Sequence, residues 1–277
     1  MSSQVSPSQK PRLTVRDIAA HKGKEPLVCL TAYSAPMAQV LDEHADILLV
    51  GDSVGMVVHG FPTTLGVTLD MMILHGQAVM RGSNKALVVV DLPFGSYEES
   101  PQIAWQSASR VMKETGCQAV KVESGEGIAQ TIAFLVDRGI PVMGHVGLRP
   151  QAVHVDGGFR AKGRTKWERD RALAEAVHAE RAGAFALVIE GVAEEIAAEI
   201  TATVKCPTIG IGASAQCDGQ ILVSDDMLGM FEWTPKFVKK YANMREVASE
   251  AAAQYAAEVR SRAFPAPAHT YVLKRGA

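Results

Sequence analysis

Aromatic side chains are scarce in this chain: Phe, Tyr and Trp together make up 6% of 277 residues. With 47% hydrophobic residues but few rings, the core has to be mainly aliphatic, as barrel interiors tend to be. Cysteine is sparse too. Cys29, Cys117, Cys206 and Cys217 form no Cys-x-x-Cys pair and have no His beside them at zinc-ligand spacing. A disulfide-stapled fold is implausible at this length, so reduced thiols in a cytoplasmic protein are the simple reading. Charge of one sign is also missing. The formal net charge is −2, which argues against nucleic acid or anionic lipid as a general electrostatic partner. No run of ~18 apolar residues occurs, so no membrane span is expected. The polar first dozen residues lack the apolar segment of a signal peptide. No Gly-x-Gly-x-x-Gly opens the first helix, which weakens a dinucleotide-binding reading.

What the chain does contain is alternation. Short aliphatic runs suggest strands at Leu27–Thr31, Ile47–Val50, Ala86–Val90, Ala119–Val122, Val142–Gly144, Ala186–Ile189, Thr208–Ile211 and Gln220–Val223. Most are continuously apolar, the signature of strands buried on both faces in a parallel sheet. Between them lie helical patterns at Ala35–His44, Leu69–Arg81, Pro101–Thr115, Glu126–Arg138, Lys166–Ala182 and Val192–Thr203, with Met244–Arg262 after the last strand. Ser34, Thr68 and Ser100 are natural N-caps. A β-α unit repeated about eight times within one domain predicts a single-domain (β/α)8 TIM barrel. Its expected extent is residues 13–265, with an N-terminal arm over 1–12 and a tail over 266–277. Gly147–Arg164, with four glycines, is the longest irregular stretch, and a loop of that length is often functional.

Strand after strand leads to a residue able to do chemistry: Asp52 and Ser53, Asp91, Lys121 and Glu123, His145, and Glu190. In a barrel these ends converge on the C-terminal face, where active sites sit. Asp52, Asp91 and Glu123 cannot crowd together uncompensated, because like charges a few ångströms apart raise at least one pKa. A divalent cation removes the conflict, and all-oxygen donors suit Mg²⁺ better than zinc. Each acid taken singly is as readily a strand-end or helix-capping residue. Lys121 and Glu123 lie two apart on a strand and share a face. Lys121 is then a cation for a substrate carboxylate or a developing enolate, or a plain salt-bridge partner. Glu190 follows an apolar run, so partial burial suits it to proton transfer. His145 lies at the edge of the glycine-rich loop. Gly210-Ile-Gly-Ala-Ser214 reads equally as a phosphate loop or as tight packing.

At this point the residues resemble a known family. Leu48-Leu-Val-Gly-Asp-Ser-Val-Gly-Met56, Asp91-Leu-Pro-Phe94, Val120-Lys-Val-Glu123, Pro141-Val-Met-Gly-His-Val-Gly-Leu148, Gly157-Gly158, Ile189-Glu190, Ile209-Gly-Ile-Gly-Ala213, Asp218-Gly-Gln-Ile-Leu222 and Thr234-Pro-Lys-Phe237 occur in order over roughly residues 13–265. The series resembles the ketopantoate hydroxymethyltransferases. Ser124 and Gly191 are small departures that touch no named role. The resemblance implies transfer of a one-carbon unit from 5,10-methylenetetrahydrofolate to 2-oxoisovalerate. It implies that Asp52, Asp91 and Glu123 form the Mg²⁺ site and that Asp52, Ser53, Asp91, Lys121 and His145 contact the oxo acid. Glu190 would be catalytic, and the protein a cytoplasmic homodecamer. A competing reading keeps the barrel and makes it a Mg²⁺-dependent oxo-acid lyase of the phosphoenolpyruvate mutase/isocitrate lyase type, although the Lys-Lys-Cys-Gly-His motif is not found. A silent binding barrel is disfavoured, since buried charges are costly to keep.

Overall fold

The computed structural model describes residues 11–125 and 127–272. Most of the arm expected over 1–12, the last residues of the tail expected over 266–277, and the expected helix start at Glu126 lie outside the described residues.

Among the described residues, eight parallel strands close into a barrel in sequence order. They are β1 (Leu27–Thr31), β2 (Ile47–Val50), β3 (Leu87–Asp91), β4 (Ala119–Glu123), β5 (Val142–Gly147), β6 (Ala186–Glu190), β7 (Thr208–Ile211) and β8 (Gly219–Leu222). β1 pairs with β8, which leaves no free sheet edge. All eight expected strands are present. The difference lies at their ends: Asp91, Glu123, His145 and Glu190 belong to the strands themselves. Strand pairing therefore fixes where each of these side chains points.

Side-chain parity explains the two apolar faces. Leu27, Cys29, Ile47, Leu49, Leu87, Val89, Ala119, Met143, Ala186, Val188, Ile209, Ile211 and Ile221 belong to one buried cluster that fills the barrel. The alternate positions, Leu48, Val88, Val90, Val120, Val122, Val142 and Leu187, are just as buried, and helices such as Leu69–Gly82 and Lys166–Arg181 contact the strands. Burying both faces offsets the cost of a continuous apolar run.

The helix starts follow their caps. The hydroxyls of Ser34, Thr68 and Ser100 accept the N–H groups of Met37, Met71 and Ile103. The helix that starts at Ala35 ends at Leu41, short of the expected His44. The helix expected over Glu126–Arg138 runs over Ile128–Val136, because Gly127 with φ 89° sets the chain outside helical space. Gly147–Arg164 is not wholly irregular. Pro150 opens a short turn, Pro150–Ala152, and Val153–Asp156 forms one helical turn before Gly157 at φ 67° ends it.

The chain divides after Ser224 into two compact units. The second unit, residues 225–272, carries the helix Met244–Ser261, none of whose residues is buried. Within it, Lys240 Nζ donates to the carbonyls of Phe231 and Glu232, and the Tyr255 and Phe264 rings meet edge to face at 5.4 Å. No helix among the described residues is long and apolar enough to cross a membrane.

Candidate active site

Toward the C-terminal ends of the strands the inward parity continues, but the side chains become polar. Leu87 and Val89 lead to Asp91, Ala119 leads to Lys121 and Glu123, Met143 leads to His145, and Val188 leads to Glu190. Pairing sets them side by side: Asp91 opposes Lys121, Glu123 opposes His145, and Gly147 opposes Glu190. Asp91, Lys121, Glu123 and His145 are all buried, whereas the Glu190 side chain is 20% exposed.

β2 reaches the same level with a glycine. A Cβ on Gly51 would stand 2.8 Å from Ser53 Oγ and 3.6 Å from Asp91 Oδ2. The missing side chain lets the next turn fold back over Asp91. The Asp52 N–H then donates to Asp91 Oδ2 at 3.0 Å, which brings two carboxylates together at the rim. Ser53 is half-buried, with its hydroxyl 2.8 Å from Tyr33 Oη.

Lys121 Nζ lies 3.2 Å from Asp91 Oδ1 and 3.4 Å from His145 Nδ1. An ammonium has no lone pair to accept with. His145 Nδ1 is therefore the acceptor, and the ring carries its proton on Nε2, an assignment made from the network. Nε2 faces Glu190 Oε2 at 3.2 Å, close but without the alignment of a hydrogen bond. Burial and then the nearby ammonium hold His145 below its ordinary pKa, so the ring is neutral.

The charges do not balance. Burial alone would lower the pKa of Lys121, but Asp91, Asp52 and Glu123 outweigh it and hold the amine up at about 12. One ammonium cannot neutralise three carboxylates. Burial, reinforced by Asp52, pushes Asp91 up to about 7. Burial likewise raises Asp52, and it raises Glu123 well above the usual carboxylate range. Asp91 Oδ1 has no aligned hydrogen-bond donor. Surplus negative charge in a dry pocket of oxygen donors fits a hard divalent cation. Among the described residues no three His, Cys, Asp or Glu side chains converge as a ready-made cage. Mg²⁺ in a site of this kind would keep several waters and take one or two carboxylates directly.

Three participants carried no usable sequence signal. Gln151 Nε2 donates to Asp52 Oδ2 at 2.8 Å and to the Leu92 carbonyl at 3.0 Å, while its N–H donates to Glu123 Oε1 at 3.1 Å. Tyr97 Oη donates to Gln151 Oε1 at 2.7 Å and accepts the Glu123 N–H at 3.2 Å. Tyr33 holds Ser53. Only the length of the loop bearing Gln151 hinted at a role. Tyr97→Phe leaves the buried Glu123 N–H without its partner, and an unsatisfied buried donor costs about 1–3 kcal/mol. Urea unfolding is expected to show a loss of that size; an unchanged midpoint would mean that the two bonds contribute nothing net. Gly210 near β7 is tightly packed, since a Cβ there would stand 3.0 Å from the Gln220 amide.

Comparison with known proteins identifies the family. The model of the family described as Ketopantoate hydroxymethyltransferase matches residues 12–267. A 3-methyl-2-oxobutanoate hydroxymethyltransferase from Hyphomonas neptunium is 68% identical over 268 residues, covering 97% of this chain and 98% of the relative. One of the same name from Maricaulis maris is 66% identical over 276 residues, covering 99% of each. Among solved structures, phosphonopyruvate hydrolase in complex with oxalate and Mg²⁺ superposes with a TM-score of 0.58 at 12% identity, over 93% of each chain. That last likeness shows the fold alone. With the family model spanning the barrel and near-full-length relatives sharing about two thirds of its residues, the chain belongs to the ketopantoate hydroxymethyltransferase family of one-carbon-transferring enzymes.

Proposed function

We propose that the rim site binds 3-methyl-2-oxobutanoate (2-oxoisovalerate), takes a proton from its C3, and adds a hydroxymethyl group there to give 2-dehydropantoate (ketopantoate), the first committed step toward pantothenate and coenzyme A. The carbon comes from 5,10-methylenetetrahydrofolate; with one water it becomes the CH₂OH group, and tetrahydrofolate leaves. The observation that carries the reading is a buried cluster of three acids and one lysine, Asp52, Asp91, Glu123 and Lys121, next to the His145–Glu190 pair.

Each residue has a task that follows from its position. Asp52 and Asp91 would hold Mg²⁺, directly or through water, and Glu123 would complete the site. When bound, Mg²⁺ supplies Lewis acidity that favours loss of the C3 proton. Lys121 and Ser53 hold the oxo acid, the ammonium supplying positive charge where the substrate is anionic. Gln151 and Tyr97 keep the Asp52 and Glu123 carboxylates aimed. Glu190, the least enclosed of the acids, accepts the C3 proton. Neutral His145 lines the pocket with Nε2 facing Glu190 Oε2 at 3.2 Å.

The test is ketopantoate formation from 2-oxoisovalerate, with and without 5,10-methylenetetrahydrofolate and with and without Mg²⁺. Product is expected only when both are present. No product from folded protein would move weight to Mg²⁺-dependent cleavage of other oxo acids.

Proton uptake by Asp91 gives a second expectation. Raised to about 7, its carboxyl is increasingly protonated below neutrality and then cannot ligate. Apparent Mg²⁺ affinity should rise about tenfold per pH unit on the acid side and level off above it. Calorimetric titrations at pH 6, 7 and 8 check this, and a flat profile would remove Asp91 from the metal site. Cytoplasmic location and homodecameric assembly complete the reading. Exposed Trp233 (78%) and Tyr255 (57%) in the second unit supply apolar surface that assembly could cover, and sedimentation measures the state.

A further inference from the structure

The chain between β5 and helix Lys166–Arg181 stands as a strap with both feet at the end of β6. At the first foot the Leu148 N–H donates to the Glu190 carbonyl at 2.8 Å. At the second, Lys162 forms a parallel bridge with Val192. Its N–H donates to the Gly191 carbonyl at 2.7 Å, and its carbonyl accepts the Ala193 N–H at 3.0 Å. Gly191, at φ 57°, sits between the feet: a Cβ there would stand 3.1 Å from Leu148 Cβ and 3.9 Å from Ala161 Cα. The peptide that joins Glu190 to Gly191 is therefore gripped from both sides. The outgoing limb also carries Gln151, with its bonds to Asp52 and Glu123, and Arg149, whose Nη1 donates to the Ser124 carbonyl at 3.3 Å.

One side chain joins the two limbs. Asp156 Oδ1 lies 3.1 Å from Lys162 Nζ on the return limb and 3.8 Å from Arg149 Nη2 on the outgoing one. Gly157 and Gly158 follow directly, at φ 67° and 112°, so the crown of the strap has little stiffness of its own. Asp156 Oδ2 is buried and has no hydrogen-bond partner among the described residues. A carboxylate held by one oxygen gains little stability from its burial; what it supplies is the link between the limbs. We propose that Asp156 is a positioning residue: by tying Arg149 to Lys162 it closes the strap on the Glu190–Gly191 peptide and sets the Glu190 carboxylate toward the C3 proton. Asp156 acts through the strap and not on the reacting atoms. The role rests on Glu190 accepting that proton, as in the function proposed above.

Asp156→Ala leaves two cations whose side chains are 14% and 20% exposed. Both can reach water, so the variant is expected to fold. Misplacing a reacting group by about 1 Å can cost about 100-fold. A partial loosening should lower C3 proton exchange in D₂O, and kcat with it, about tenfold. KM for the oxo acid and Mg²⁺ affinity should stay within a factor of about two. Asp156→Glu keeps the charge and can span the same gap, so it should restore most of the rate. In a Glu190→Gln background, Asp156→Ala should cost nothing further, because the group it positions is gone. The strap itself is read by amide hydrogen exchange at Leu148, Lys162 and Ala193, which should quicken in Asp156→Ala. Unchanged C3 exchange in Asp156→Ala overturns the proposal, as does an equal loss in the Glu190→Gln background or a loss carried wholly by KM. Absence of C3 exchange in the parent would count against the oxo-acid reading instead, and the amides would still decide the strap: equal amide exchange in parent and variant overturns it whatever the rates.

Discussion

Glu190→Gln is expected to lower turnover by about two to four orders of magnitude, the usual contribution of a positioned general base, while 2-oxoisovalerate and Mg²⁺ still bind. Gln has nearly the shape of Glu and can still face His145 Nε2, so the pocket should keep its form. What it lacks is a lone pair basic enough to hold the C3 proton. Glu190 ends β6 with its oxygen 3.2 Å from His145, and its side chain is more exposed than those of Asp52, Asp91 and Glu123, so proton exchange with solvent has a route. C3 proton exchange in D₂O and product formation should fall together, with substrate affinity within about a factor of a few of the parent. Unchanged turnover removes Glu190 from the role.

Lys121→Met should damage stability as well as activity. The ammonium is buried and faces Asp91 directly, with Asp52 and Glu123 adding to its field. Removing one partner of a buried pair leaves the other charge uncompensated, at a cost of about 3–5 kcal/mol. The pH dependence has a definite sign. Burial already holds the three carboxyls above their ordinary values, and loss of the ammonium raises them further. A carboxyl whose folded pKa exceeds its unfolded one takes up a proton on folding, so its destabilising effect grows as pH rises through that window and fades on acidification. The deficit of Lys121→Met should therefore be larger at pH 8 than at pH 5.5 in urea unfolding without metal. Added Mg²⁺ should recover part of it at pH 8 by supplying the missing positive charge. Equal deficits at both pH values would show that Lys121 stabilises by packing alone.

The barrel was readable because its strands are buried on both sides: eight aliphatic runs needed no environment to be recognised. The acids, lysine and histidine were readable because each interrupts or ends such a run, where a charge is hard to explain otherwise. Gln151, Tyr97 and Tyr33 were not. Gln151 is an ordinary polar loop residue whose role exists only once its loop folds over Asp52. Tyr97 follows Gly95-Ser96 in a loop with no periodicity, and it becomes a buried bridge only through contacts 26 and 54 residues away. The Gly147–Arg164 turns were hidden because glycine content announces a loop but not the short helical turn that Pro150 can start.

The lateral pairing of the rim residues reaches beyond catalysis. Asp91 sits opposite Lys121, and Glu123 opposite His145. If β4 slid by one residue against its neighbours, parity would turn Lys121 and Glu123 outward, toward helices whose buried side chains are aliphatic apart from the hydroxyls of Ser107, Thr115 and Thr131 and carry no opposite charge. The runs on either side are so uniformly aliphatic that Val, Ile and Leu could tolerate such a slip; the charges could not. The catalytic residues thus act as teeth on a key: the same side chains that handle the substrate permit one alignment of the central strands and reject the next.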